Sequence, residues 1–175
     1  MSKKVAILVV NTVNGFGLFQ YLESFFENEI PYKTFAVTKT IYVKTNSGIS
    51  MQTDDVIANL KGHEDEFDAL VFACGDAMYK FEENAGKQFY QDMFAVIKAF
   101  ADKGKILIGH CVAALVFDKL GIGQGKKVAL HPLIKSDLQG CQGTDDKFIV
   151  EDNLYTAQTE NTISFLMPEL LKVLN

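Results

Sequence analysis

The chain has 175 residues, 48% hydrophobic and 22% charged, the make-up of an ordinary globular protein able to bury a core without covalent staples. A net charge of −5 with scattered basic residues argues against nucleic acid or an anionic membrane as a partner, since both reward a dense basic patch. The three cysteines, Cys74, Cys111 and Cys141, form no CxxC pair, which excludes a disulfide framework and a zinc site.

From the N-terminus, Lys3-Lys4 precedes only six apolar residues, Val5 to Val10. That run is too short for a signal peptide or a bilayer span, so a cytoplasmic protein with reduced thiols is expected. As a continuous apolar run it predicts a central strand buried on both faces. After the turn Asn11 to Gly15, the positions Leu18, Phe19, Leu22, Phe25 and Phe26 recur at helical spacing. Tyr32 to Val37 predicts a second strand. Ile41 to Val43 and Ile49 to Gln52 predict a short hairpin off the sheet, turned around Asn46-Ser47-Gly48. Phe67 to Ala73 is the next strand, ended by Gly75-Asp76. Phe89, Met93, Phe94, Ile97 and Phe100 form one helical face, and Lys105 to Gly109 another strand. Thr159 is read as the cap of a last helix carrying Ile163, Leu166, Met167, Leu170 and Leu174, with Pro168 inside it as a kink or a later start. Strands alternating with helices predict a three-layer, doubly wound, mostly parallel α/β sheet in one domain spanning residues 1–175.

Chemistry concentrates at Gly109-His110-Cys111-Val112-Ala113. An apolar strand runs straight into a helix-forming segment with Cys111 at the junction, and the residues two before and two after it are small. A nucleophile elbow needs that, because its sharp strand-to-helix turn crowds those positions. The turn sets the thiol near a helix N-terminus, which favours thiolate. His110 is adjacent, but alternation along a strand sends it to the opposite face.

With that elbow, the chain resembles the ThiJ/PfpI superfamily, which shares the flavodoxin-like fold of class I glutamine amidotransferases and includes deglycases, glyoxalases and intracellular proteases. The opening Lys4 to Val9, Phe67-Asp68-Ala69-Leu70-Val71 followed by Cys74-Gly75, and Gly104-Lys105 before the elbow all match the family's order. So do His131-Pro132-Leu133 after it and Asn153-Leu154-Tyr155-Thr156 before the last helix. The resemblance implies Cys111 as nucleophile, His131 as its base or orienting group, and the N–H groups of Gly75 and Val112 as oxyanion donors. It implies a homo-oligomer, commonly a dimer, acting on a small molecule without a resident cofactor or metal.

Several positions depart from the family. Gly17 stands where a helix-borne glutamate faces the cysteine, and Val112 where the protease branch has its histidine. Cys74 replaces the first of the paired glycines, Ala73 and Ala114 replace prolines, and Gln158-Thr159-Glu160 stands where many members read Arg-Gly-Pro. Three functions stay open. The first is an enzyme acting on reactive carbonyls or as a hydrolase, with Asp76 standing in for the missing acid. The second is a thiol sensor using Cys74 and Cys111. The third is a binding module in which Gly17 opens room for a planar or phosphorylated ligand such as a flavin nucleotide, with Asn11 to Gly15 at its phosphate.

Overall fold

The computed structural model describes residues 2–175. In chain order the elements are β1 (Val5–Val9), α1 (Gly15–Glu27), β2 (Tyr32–Ala36), β3 (Tyr42–Lys44), β4 (Ser50–Gln52), β5 (Asp55–Val56), α2 (Ile57–Leu60) and β6 (Ala69–Ala73). They continue with α3 (Phe81–Asn84), α4 (Gln88–Asp102), β7 (Ile106–His110), α5 (Ala113–Lys119), β8 (Lys127–Ala129), β9 (Gln142–Thr144), β10 (Phe148–Glu151), β11 (Leu154–Ala157) and α6 (Ile163–Leu174). Short 3-10 turns at Asp76–Lys80, Pro132–Asp137 and Glu160–Thr162 link them where the chain crosses the top of the sheet.

The main sheet has the order β10-β11-β7-β6-β1-β2-β5, parallel throughout except that β10 pairs antiparallel with β11. β1 and β6 are buried at every position, as their uninterrupted apolar sequences require. From β1 the chain winds outward to β2, and from β6 it winds the other way to β7. Right-handed crossovers in opposite directions put α1 and α4 on opposite faces of the sheet. α6 joins α1 on one face and α2 joins α4 on the other. The buried apolar side chains form a connected core that includes both faces.

The predicted hairpin is β3–β4, a separate two-stranded sheet turned through Gly48 at φ +89. The apolar spacing of the first helix misplaces its buried face. Leu18, Tyr21 and Phe25 are buried with Gly17, whereas Phe19 and Phe26 are exposed. The last helix runs through Pro168, and Thr159 caps the 3-10 turn in front of it in a reciprocal pair with Thr162.

The reversal of winding between β1 and β6 opens a crevice at their carboxyl ends, where open α/β sheets take ligands. Its floor is tied together by main chain, the Asn14 N–H donating to the Cys74 carbonyl at 3.0 Å.

Candidate active site

β7 ends at His110, and the chain turns sharply into α5 through Cys111, whose φ is +57. A residue with a Cβ in that left-handed region is strained, by about 1–2 kcal/mol for an ordinary side chain. The turn is so tight that a Cβ on Gly109 would stand 2.3 Å from the Ala113 Cβ. Small residues on either side of the cysteine are a steric condition for the elbow. Gly75, at the end of the neighbouring strand, is equally constrained: a Cβ there would meet the Thr12 carbonyl oxygen at 2.1 Å.

A cleft of about 170 Å³ lies over this turn. Its walls include Cys111 and His110 from the end of β7, and Cys74, Gly75, Asp76 and Tyr79 from the end of β6 and the turn after it. His131 enters from the segment after β8 and Glu160 from the turn before α6. The His131 N–H donates to the Cys111 carbonyl at 3.2 Å, fixing that segment against the elbow, and its Nδ1 accepts from the Leu133 N–H at 3.3 Å. Asp76 stands exposed at the mouth. The expected residues Cys111, His131, Gly75 and Asp76 line this one cleft, whereas Val112, the residue that caps α5, is not among its walls and lines a neighbouring cleft instead.

Three features were not legible beforehand. Tyr79 Oη lies 3.3 Å from Cys111 Sγ, a hydrogen bond in which the phenol donates once the sulfur is ionised. The Tyr79 and His131 rings meet edge to face, with centroids 6.4 Å apart. Tyr79 sits in a 3-10 turn with no periodicity to mark it, so only its spacing after Gly75 could have pointed to it.

His110 is the second. Alternation along the strand sends it away from the thiol, yet both residues border the cleft because the left-handed turn at Cys111 breaks the alternation. Its Nδ1 is 3.2 Å from Tyr21 Oη, and burial pushes the imidazole down to about 4, so it is neutral at neutral pH. The room expected beside Gly17 is filled by this ring, since a Cβ on Gly17 would stand 2.7 Å from His110 Nε2. Glu160 is the third, marked in the sequence only as a departure.

The electrostatics correct one expectation. The start of a helix was expected to favour thiolate, but the Cys111 thiol is raised. Burial is the main cause; the Tyr79 phenol and the Val112 N–H pull it down, and the charges of Glu160 and Asp76 push it up. α5 has only two turns, too short for its dipole to overcome burial. Cys74 is buried and pushed higher still, by burial and then by the neighbouring Cys111, although the Val112 and Ala113 N–H groups point at its sulfur. All three cysteines are free thiols.

The sequence profile of the DJ-1/PfpI family matches residues 3–173. The chain belongs to the DJ-1/PfpI family. It is 57% identical to Protein ppBat of Bacteroides thetaiotaomicron over 99% of both chains. It superposes with a TM-score of 0.98 on the crystal structure of a protease I-like protein of that organism, at 56% identity over 99% of this chain and 100% of the other. Drosophila melanogaster DJ-1beta, at 19% identity over 99% of this chain and 91% of its own, gives a TM-score of 0.84 and so shares the fold. The DJ-1/PfpI fold thus accounts for the sheet and the elbow. No described helix is long and apolar enough to cross a membrane, and no group of three or more His, Cys, Asp or Glu suited to a metal ion occurs among the described residues.

Proposed function

We propose that this protein uses Cys111 as a nucleophile towards small reactive carbonyl compounds, as glyoxalases and deglycases do. The observation that carries the reading is a half-buried cysteine in a strained elbow, hydrogen-bonded by Tyr79 at the base of a small cleft. At about 170 Å³ the cleft falls below the ~300 Å³ at which pockets for drug-sized ligands begin. A compound of a few heavy atoms suits it better than a nucleotide, and the His110 ring in the space beside Gly17 weighs against a flavin there.

In this reading the sulfur attacks the carbonyl carbon, and the N–H groups of Gly75 and Val112 receive the developing oxyanion. His131 orients the substrate or relays a proton, and Asp76 guards the mouth. Hydrolysis of an acyl substrate would use the same first step. Protease chemistry is disfavoured, because Val112 has no proton to exchange where that branch carries histidine. Methylglyoxal consumption by the purified protein, lost in Cys111→Ala, is the expected result. No turnover of any carbonyl or acyl substrate, with the Cys111 thiol still reactive, would defeat the proposal.

Cys74 favours a second reading, a thiol sensor. It ends the strand next to the one that delivers Cys111, and its sulfur is close enough to be raised by it. A reversible Cys74–Cys111 link after mild peroxide, found by peptide mapping, would support this; its absence removes the disulfide version. We also take the protein to be cytoplasmic and a homodimer. The exposed Phe16, Phe19 and Phe165 offer apolar surface for a second copy, and light scattering at a monomer mass would exclude that.

A further inference from the structure

Gly17 lies on the buried face of α1 at a point where three elements meet. A Cβ there would stand 2.7 Å from His110 Nε2, at the end of β7, and 3.4 Å from Glu160 Cβ, in the turn before α6. The His110 side chain is fully buried, and its Nε2 has no hydrogen-bond partner. Buried polar nitrogens are rarely left so. When the Tyr21 phenol donates to Nδ1, the neutral imidazole carries its proton on Nε2, which is then a donor aimed at the gap beside Gly17. Glu160 borders the same gap and the same cleft as Cys111. Its main chain is anchored by Gln20, whose Nε2 donates to the Glu160 carbonyl at 2.9 Å. One methylene and a carboxyl beyond its Cβ, the side chain can span the gap by rotation about its own bonds.

We propose that Glu160 is the proton-carrying carboxylate of the Cys111 site, reaching in from the turn before α6 past the bare Cα of Gly17 and docking on the Nε2–H of the His110 ring that fills the space there. The inference rests on the carbonyl reading above. The Cys111 thiol proton passes to a Glu160 carboxylate oxygen as the sulfur lone pair forms the S–C bond to the carbonyl carbon. The C=O π pair moves onto oxygen, and Glu160 returns the proton there, completing a hemithioacetal with nothing oxidised or reduced. Tyr79 holds the sulfur from the other side. The titratable groups that line the cleft with the sulfur are Cys74 just after β6, Asp76 and Tyr79 from the turn that follows, His110 beside it, His131 after β8, and Glu160. The Glu160 charge is already felt by the Cys111 thiol, after burial and the Tyr79 contact.

The test is Glu160→Gln, read in three ways. Alkylation of Cys111 by iodoacetamide, followed against pH by peptide mass, should shift to lower pH and run several-fold faster at neutral pH, because a negative neighbour is gone. Methylglyoxal turnover should fall about a hundredfold, the lower range of a lost general acid–base. The His110 Nε2–H resonance, followed by NMR, should shift in the variant, because the carboxylate docked on it is gone. A faster thiol with slower turnover is a signature that mere structural damage does not give. Unchanged alkylation and an unmoved His110 would overturn the placement of Glu160, and unchanged turnover would overturn its proton-carrying role. If the wild-type protein turns over no carbonyl at all, the carbonyl reading fails, while alkylation and NMR still decide whether Glu160 sits at the site.

Discussion

The turn that carries Cys111 and the loop that carries Cys141 treat the same atom in opposite ways. Cys141 is buried with its sulfur 3.3 Å from the Ile122 carbonyl and 3.2 Å from the Gly123 carbonyl, two acceptors that keep the thiol protonated. Burial, with Asp118 and Glu151 adding to it, pushes that thiol up to about 12. Asp118 organises the loop by accepting the N–H groups of Gln139, Gly140 and Cys141 at 2.7, 2.8 and 2.6 Å. Cys111 is instead half-buried and faces donors, the Tyr79 phenol and the Val112 N–H, on a strained backbone. Acceptors around a sulfur make a structural cysteine, whereas donors and an opening make an available one.

That contrast can be broken from the Cys141 side first, where the effect is largest. Asp118→Ala leaves three N–H groups without their acceptor and should cost about 3–5 kcal/mol in urea unfolding. It should also make Cys141 open to alkylation without changing Cys111; a protein that keeps Cys141 protected would refute the role given to Asp118. Burial acts to raise this carboxyl, yet the three N–H groups hold it below the usual carboxylate range. Its stabilisation is therefore complete above a pH of about 4 and is lost as pH falls through the lower folded value. Asp118→Asn should flatten that acid limb, and an unaltered acid limb would contradict the assignment.

From the Cys111 side, Gly109→Ala puts a Cβ 2.3 Å from that of Ala113 and should cost about 2–3 kcal/mol. By contrast, Gly121→Ala has open space and pays only for its positive φ of 74, about 1 kcal/mol. Equal costs at the two glycines would show that the elbow is not sterically tight. The smallest effect is the most specific. Cys111→Gly removes the strained Cβ and should be about 1 kcal/mol more stable than Cys111→Ala, although both lose the thiol. Thermal unfolding of the two variants under one condition decides it, and a less stable glycine variant would mean the turn is not strained.

How much of this could be read from the residues depends on the distance over which each feature is determined. β1, β6 and β7 announce themselves as short apolar runs because both their faces are buried. The elbow shows in the small residues flanking Cys111, since the clash they avoid lies within four positions of chain. The helix α1 misled because Phe19 and Phe26 keep helical spacing yet face outward, apolar patterning being blind to which stripe the sheet takes. Tyr79, His110 and Glu160 reach the site through tertiary placement alone. His110 was turned away on alternation that ends one residue later, and Glu160 lies 49 positions beyond Cys111 in a turn whose only local signal is its Thr159 cap.

The central claim, that Cys111 is the available thiol of the molecule, is tested most directly by limiting iodoacetamide on the folded protein with site-by-site mass mapping. The account predicts modification at Cys111 well ahead of Cys74 and Cys141, both buried and both raised in pKa by that burial. Labelling of Cys74 or Cys141 first, or of all three at one rate while the protein stays folded, would contradict it.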